Sequence, residues 1–108
     1  MNRELQYDRE VELQQQENFI ENKNELLNKM EFLLKEKYRN SPLILKVYID
    51  REKDKYYIDT FAAYSLGFIS YQKAASDSDS GRKLFEISKA TLEMLERVFK
   101  GRILYQYL

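Results

Sequence analysis

Four carboxylates crowd one short stretch of this chain: Asp50, Glu52, Asp54 and Asp59. Paired acids can hold magnesium or divide acid and base duties at a reacting bond. Arg51, Lys53 and Lys55 are interleaved with them. Such a run suits an exposed turn, not a cleft that would perturb a carboxyl group, so it reads as a solvated hairpin tip. A second acidic segment, Asp77-Ser78-Asp79-Ser80-Gly81, has a superficial likeness to a calcium loop. An EF-hand needs Gly at loop position six and Glu at twelve. Counting from Asp77 puts Arg82 and Ser88 there, so the pattern fails. The segment reads instead as a loop ending in helix N-caps. A phosphate contact by Arg82, Lys83 and free N–H groups at the helix start is the lesser reading. Ser80-Gly81-Arg82-Lys83 lacks the first Gly and the final Ser/Thr of a phosphate-binding loop.

The chain has no His and no Cys. His is the side chain best suited to proton transfer near neutral pH. Without it, Ser-His-Asp and Cys-His nucleophilic systems cannot be built from this chain. Zinc sites normally draw on His or Cys. The expectation is a non-enzymatic protein with no cofactor and no metal site.

Binding chemistry is better represented. Lys46, Tyr48, Arg51, Lys53, Lys55, Tyr56 and Tyr57 interleave basic and aromatic groups. On a sheet, aromatics can stack bases while Lys and Arg hold phosphates. The acids of the same stretch would oppose a phosphate backbone, and the RNP1 pattern is absent. Tyr is also suited to protein interfaces, because it joins a large area to a polar tip and few rotors. Nine Tyr are too many for so small a core. The reading is therefore a small accessory or inhibitor protein that binds another protein, itself, or both, with a homodimer expected. Its partner surface is assigned to Tyr48, Tyr56, Tyr57, Tyr105, Tyr107, Arg51, Lys53 and Lys55. The alternative is a nucleic-acid-binding regulator using the hairpin around residues 46–57, for which steep salt dependence would be diagnostic.

Composition agrees with one globular domain. The 108 residues are 44% hydrophobic and 33% charged, the latter above the usual ~25%. Eighteen bases balance eighteen acids, so neither a general nucleic-acid binder nor a highly acidic mimic is indicated. The lack of Cys favours a reducing compartment. The first twenty residues are polar and acidic, with no apolar stretch of a signal peptide, and no run of ~18 apolar residues would span a membrane. A cytoplasmic protein with no membrane contact is expected. Lys, Asn, Ile and Tyr total 33 residues against 16 for Gly, Ala, Pro and Arg. That bias fits an AT-rich genome, such as a low-GC bacterium or a phage or mobile element of one.

The elements that must position these groups follow from periodicity. Residues 1–16 are expected as a polar, frayed arm, and 17–108 as a single α+β domain. Phe19, Ile20, Leu26, Leu27, Met30, Leu33 and Leu34 make a broad helical stripe over 17–39. Ser41-Pro42 ends it. Residues 43–50 alternate, with Leu43, Leu45, Val47 and Ile49 on one face and Ile44, Lys46, Tyr48 and Asp50 on the other, which predicts a strand. Residues 51–55 connect it to a second strand over 56–61. Residues 62–75 read as a third strand at Phe68–Tyr71 in preference to a short helix. Residues 76–81 read as a loop. A second helix is expected over 82–100, with apolar residues around more than half its girth, so that it would pack on the sheet and on the first helix or a second subunit. Gly101 fits its C-cap. Residues 102–108 read as a short terminal strand with Ile103, Tyr105 and Tyr107 on one face. The predicted architecture is a long N-terminal helix, an antiparallel β-meander of about three strands, a second amphipathic helix and a C-terminal strand, both helices on one sheet face. The predicted core is Phe19, Ile20, Leu27, Met30, Leu34, Leu45, Val47, Ile49, Ile58, Leu84, Leu92, Leu95 and Val98.

Overall fold

The computed structural model describes residues 24–108. The expected arm (1–16) and the predicted core residues Phe19 and Ile20 lie outside the described residues. A helix occupies residues 24–38 (α1) and gives way before Ser41-Pro42. Then follow β1 (Leu45–Asp50), β2 (Lys55–Asp59), α2 (Thr60–Ser65), α3 (Tyr71–Asp79), β3 (Leu84–Ile87), α4 (Lys89–Val98) and β4 (Ile103–Tyr107). The class is mixed α and β, as the periodicities predict.

Among the described residues the sheet has four strands, in the order β3-β2-β1-β4. β1 pairs antiparallel with β2, and β2 antiparallel with β3. β4 pairs parallel with β1, Val47 lying beside Tyr105. The sheet is therefore mixed and not a pure antiparallel meander. The third strand is Leu84–Ile87, not Phe68–Tyr71. Leu84, Phe85 and Ile87 fit either a helical turn or a short strand, and pairing with β2 decides for the strand: Phe85 sits opposite Ile58, and Ile87 opposite Tyr56. The predicted helix over 82–100 accordingly begins only at Lys89. Its cap is Ser88, whose side chain accepts the Thr91 N–H at 3.1 Å.

The predicted loop at 76–81 is also corrected. Ser76 through Asp79 complete α3, despite the weak helix propensity of Ser and Asp. Three local contacts compensate. Ser70 caps the first turn by accepting the Lys73 N–H, Lys73 pairs with Asp77 one turn on, and the Ser80 hydroxyl donates to the Ser76 carbonyl. Ala74, fully buried, anchors the helix. Gly81, at φ +81°, then turns the chain into β3.

Register assigns every strand side chain to one of two faces. Leu45, Val47, Ile49, Tyr56, Ile58, Phe85, Ile87 and Ile103 share the inner face. Against it pack Leu34 and Tyr38 of α1, Ala63 of α2, Leu66 after it, and Leu92, Met94, Leu95 and Val98 of α4, with Phe99. Seven residues of the predicted core are buried, and Leu27, Met30 and Ile49 are partly buried against them. Leu84 is a correction: its partner Asp59 lies on the opposite face, and so does Leu84. The apolar girth expected of the second helix is accounted for within this chain. Part of it is β3, and the rest is buried in this chain. Both long helices cover the same face, joined by Arg97 of α4, which donates from two nitrogens to Glu31 of α1 at 2.7 and 2.9 Å. Arg97, then Lys35, hold the Glu31 carboxyl below the usual carboxylate range. This tie is complete above the ordinary carboxylate pKa and loosens as pH falls through the depressed one.

Candidate interaction surfaces

The opposite face of the sheet carries Leu84 and Glu86 on β3, Lys55, Tyr57 and Asp59 on β2, Lys46, Tyr48 and Asp50 on β1, and Leu104 and Gln106 on β4. None of these ten residues belongs to the buried core. Tyr48 and Tyr57 are direct cross-strand neighbours at its centre, and both are half-buried. The Tyr48 hydroxyl donates to Asp59 at 3.3 Å, and the Lys46 ammonium lies 5.3 Å from the Tyr48 ring centre. Lys55 pairs with Glu86 at 3.2 Å, and this carboxylate raises the lysine's pKa above its ordinary value. The face thus presents two tyrosines, two leucines, two lysines and three carboxylates. Alternation of β1 and β2 produces it, because residues two apart share a face.

Three of the assigned surface residues stand elsewhere, on β4 or stacked on it. Tyr105 and Tyr107 project from the helix-side face and remain 40% and 55% exposed. Arg51, in the β1–β2 connection, stacks its guanidinium 4.0 Å from the Tyr107 ring centre. Lys53 is exposed in the same connection, where Asp50 accepts its backbone N–H. Tyr56 faces the core side beside Ile49 and is partly buried, while its hydroxyl donates to Asp54 at 3.4 Å. Alternation carries the signal that separates Tyr56 from Tyr57: Tyr56 is two residues from Ile58, a predicted core residue, and therefore shares its face, while Tyr57 points the other way. Arg51, Lys53 and Lys55 therefore do not form one basic site. One stacks on β4, one lies in the turn and one is paired on the sheet face.

The Tyr105 hydroxyl donates to Glu96 of α4 at 2.6 Å. The hydrogen bond to this carboxylate, with burial second, pushes the phenol up to about 12. Because the folded value is raised, the stabilisation is complete below the ordinary value near 10 and is lost as pH climbs through about 12. In a phenolate absorbance titration, Tyr105 should therefore ionise late, and Glu96→Gln should bring it back toward 10. Ionisation of Tyr105 near 10 in the unaltered protein would show that the contact does not hold in solution.

The acids of the hairpin do not converge on a reaction centre. Among the described residues no three carboxylates group as ligands for a metal ion. A shallow depression of ≈ 480 Å³ brings Asp59, Thr60, Ser78 and Lys83 together beside α2, where the Thr60 hydroxyl is committed to the Arg82 carbonyl at 2.9 Å. Two features escaped the sequence reading. Leu26, Phe32 and Leu33 of α1 are about two-thirds exposed, so the apolar stripe of this helix is wider than the strip that packs on the sheet. Arg102, which no periodicity singles out, donates to the carbonyls of Tyr38, Ser41 and Val98. No described helix is long and apolar enough to cross a membrane. Comparison of the chain with protein-family models, with curated proteins and with solved structures found no match.

Proposed function

We propose that this chain is a small, non-enzymatic accessory or inhibitor protein that acts by occupying the surface of another protein. The observation carrying the reading is the face of the sheet that the described helices leave open. Helices cover one face, while Tyr48 and Tyr57 lie side by side on the other, with Leu84 and Leu104 toward its two edges. Rigid aromatics flanked by apolar groups and rimmed by charges of both signs are what protein interfaces use.

The nucleic-acid alternative fits this surface less well. Asp50, Asp59 and Glu86 outnumber Lys46 and Lys55 on the face, and Lys55 is already paired with Glu86. A phosphate backbone would meet net negative charge there, without a track of cations. The two readings separate by salt and nuclease. Binding to a protein through this face should survive nuclease and change little with moderate salt, whereas phosphate binding should fall steeply.

A further inference from the structure

Among the described residues, the mixed topology leaves β4 as an outer strand with one side unpaired, and its two sides can be told apart. The Leu45 N–H donates to the Arg102 carbonyl, and the Leu108 N–H donates to the Ile49 carbonyl, both at 2.8 Å. In a strand, backbone polar groups alternate in direction from residue to residue. Residues 102, 104, 106 and 108 thus face β1, and the N–H and C=O groups of Ile103, Tyr105 and Tyr107 face outward.

Natural sheets blunt such edges with charge, proline, bulges or brevity. The other outer strand, β3, follows that rule: it has four residues and carries Glu86, paired with Lys55. β4 does not. Its five residues, Ile103-Leu104-Tyr105-Gln106-Tyr107, include no charge and no proline, and Leu104, Tyr105 and Tyr107 are all substantially exposed.

We infer that the free side of β4 pairs with β4 of a second copy of this chain, antiparallel and about a two-fold axis through Tyr105. The outward-facing residues 103, 105 and 107 are symmetric about that position. Ile103 then meets Tyr107 of the other copy, and the two Tyr105 residues exchange both backbone hydrogen bonds. Two-fold pairing places identical strands opposite each other, so any charge on the strand would risk meeting its like. A neutral strand is compatible with itself and offers nothing to select a charged peptide. The product is a continuous eight-stranded sheet with aromatic cross-strand pairs at its centre. This surface is separate from the open sheet face, and the inference holds whether or not that face binds another protein.

Sedimentation of the full chain should give a dimer at micromolar concentration, and Tyr105→Pro should weaken self-association at least about ten-fold. Proline is tolerated on an edge strand where the lost N–H points away from its neighbour, so this variant should keep its circular dichroism spectrum. Gln106→Pro, which removes an N–H facing β1, should instead unfold β4. Amide exchange of the unaltered protein, read residue by residue, decides the matter even if Tyr105→Pro fails to fold. In the dimer the amides of Ile103, Tyr105 and Tyr107 exchange slowly and speed up on dilution, while those of Leu104 and Gln106 stay slow. A monomer up to roughly 100 μM would overturn the inference. So would outward amides that exchange fast in a dimer, which would place the interface elsewhere, such as the Leu26–Leu33 side of α1. Outward amides that stay slow at every dilution would also overturn it, because the chain itself would then be covering the edge.

Discussion

Phe99→Ala should cost about 3–5 kcal/mol of folding stability, the range for truncating a fully buried aromatic side chain. Phe99 is completely buried and follows the last residue of α4 as its C-cap. Its ring meets Tyr38 of α1 at 5.1 Å between centroids, tilted by 48°. It also lies 5.5 Å from the Arg102 guanidinium carbon. One side chain thus joins the ends of both long helices to the start of β4. A domain of this size has about 5–15 kcal/mol to lose, so the variant should sit near the edge of stability. Urea unfolding monitored by circular dichroism measures this. A loss under about 1 kcal/mol would mean that the ring is not enclosed as described.

Arg102→Ala should come second, at about 2–4 kcal/mol. The guanidinium donates to the carbonyls of Tyr38, Ser41 and Val98, the Tyr38 bond being 2.9 Å and the Val98 bond 3.3 Å. The Tyr38 and Val98 carbonyls are at helix C-termini, where the last carbonyls have no partner within the helix and a cation also complements the dipole. Hydrogen bonds to a charged group contribute about 1.5–3 kcal/mol each when isolated, and they do not add fully in a shared network. Arg102→Lys should recover half or less of the loss, since an ammonium cannot reproduce the planar fork. Equal stability of the Lys variant and the unaltered protein would show that charge alone matters at this position.

β1, the connection after it and much of the core were legible in the sequence. Alternation from Leu43 to Asp50 foretold β1 and its outward Tyr48, the charged run placed the β1–β2 connection, and spacing identified Leu34, Leu92, Leu95 and Val98 as core. What failed depended on long-range pairing. Leu84 to Ile87 became a strand only because β2 lay open beside it. With four residues, it is too short to show a period. The Ser and Asp run of α3 looked like a loop because its capping hydroxyl at Ser70, its ion pair and its buried Ala74 lie outside any propensity scale. That β4 runs parallel to β1 could not be read from residues 102–108, since a neutral alternating strand fits either direction.

The surfaces were legible in part. Tyr48, Tyr56 and Tyr57 stand out as a group by residue type, and alternation from the core residue Ile58 puts Tyr56 against the core and Tyr57 on the other face. Arg51 is close to Lys53 and Lys55 in sequence, yet its stacking partner is Tyr107, on an outer strand more than fifty residues away.

Binding through the open sheet face is best tested by affinity capture from lysate of the source organism or its host. The immobilised full chain is compared with a Tyr48→Ser, Tyr57→Ser double variant, after nuclease treatment and at raised salt. Both substitutions are on a half-exposed face outside the buried core, so the variant should keep its fold, which circular dichroism checks. A protein retained by the unaltered chain through nuclease and salt, and lost from the double variant, is the predicted result. Retention that nuclease abolishes, or that the double variant shows equally, would contradict it.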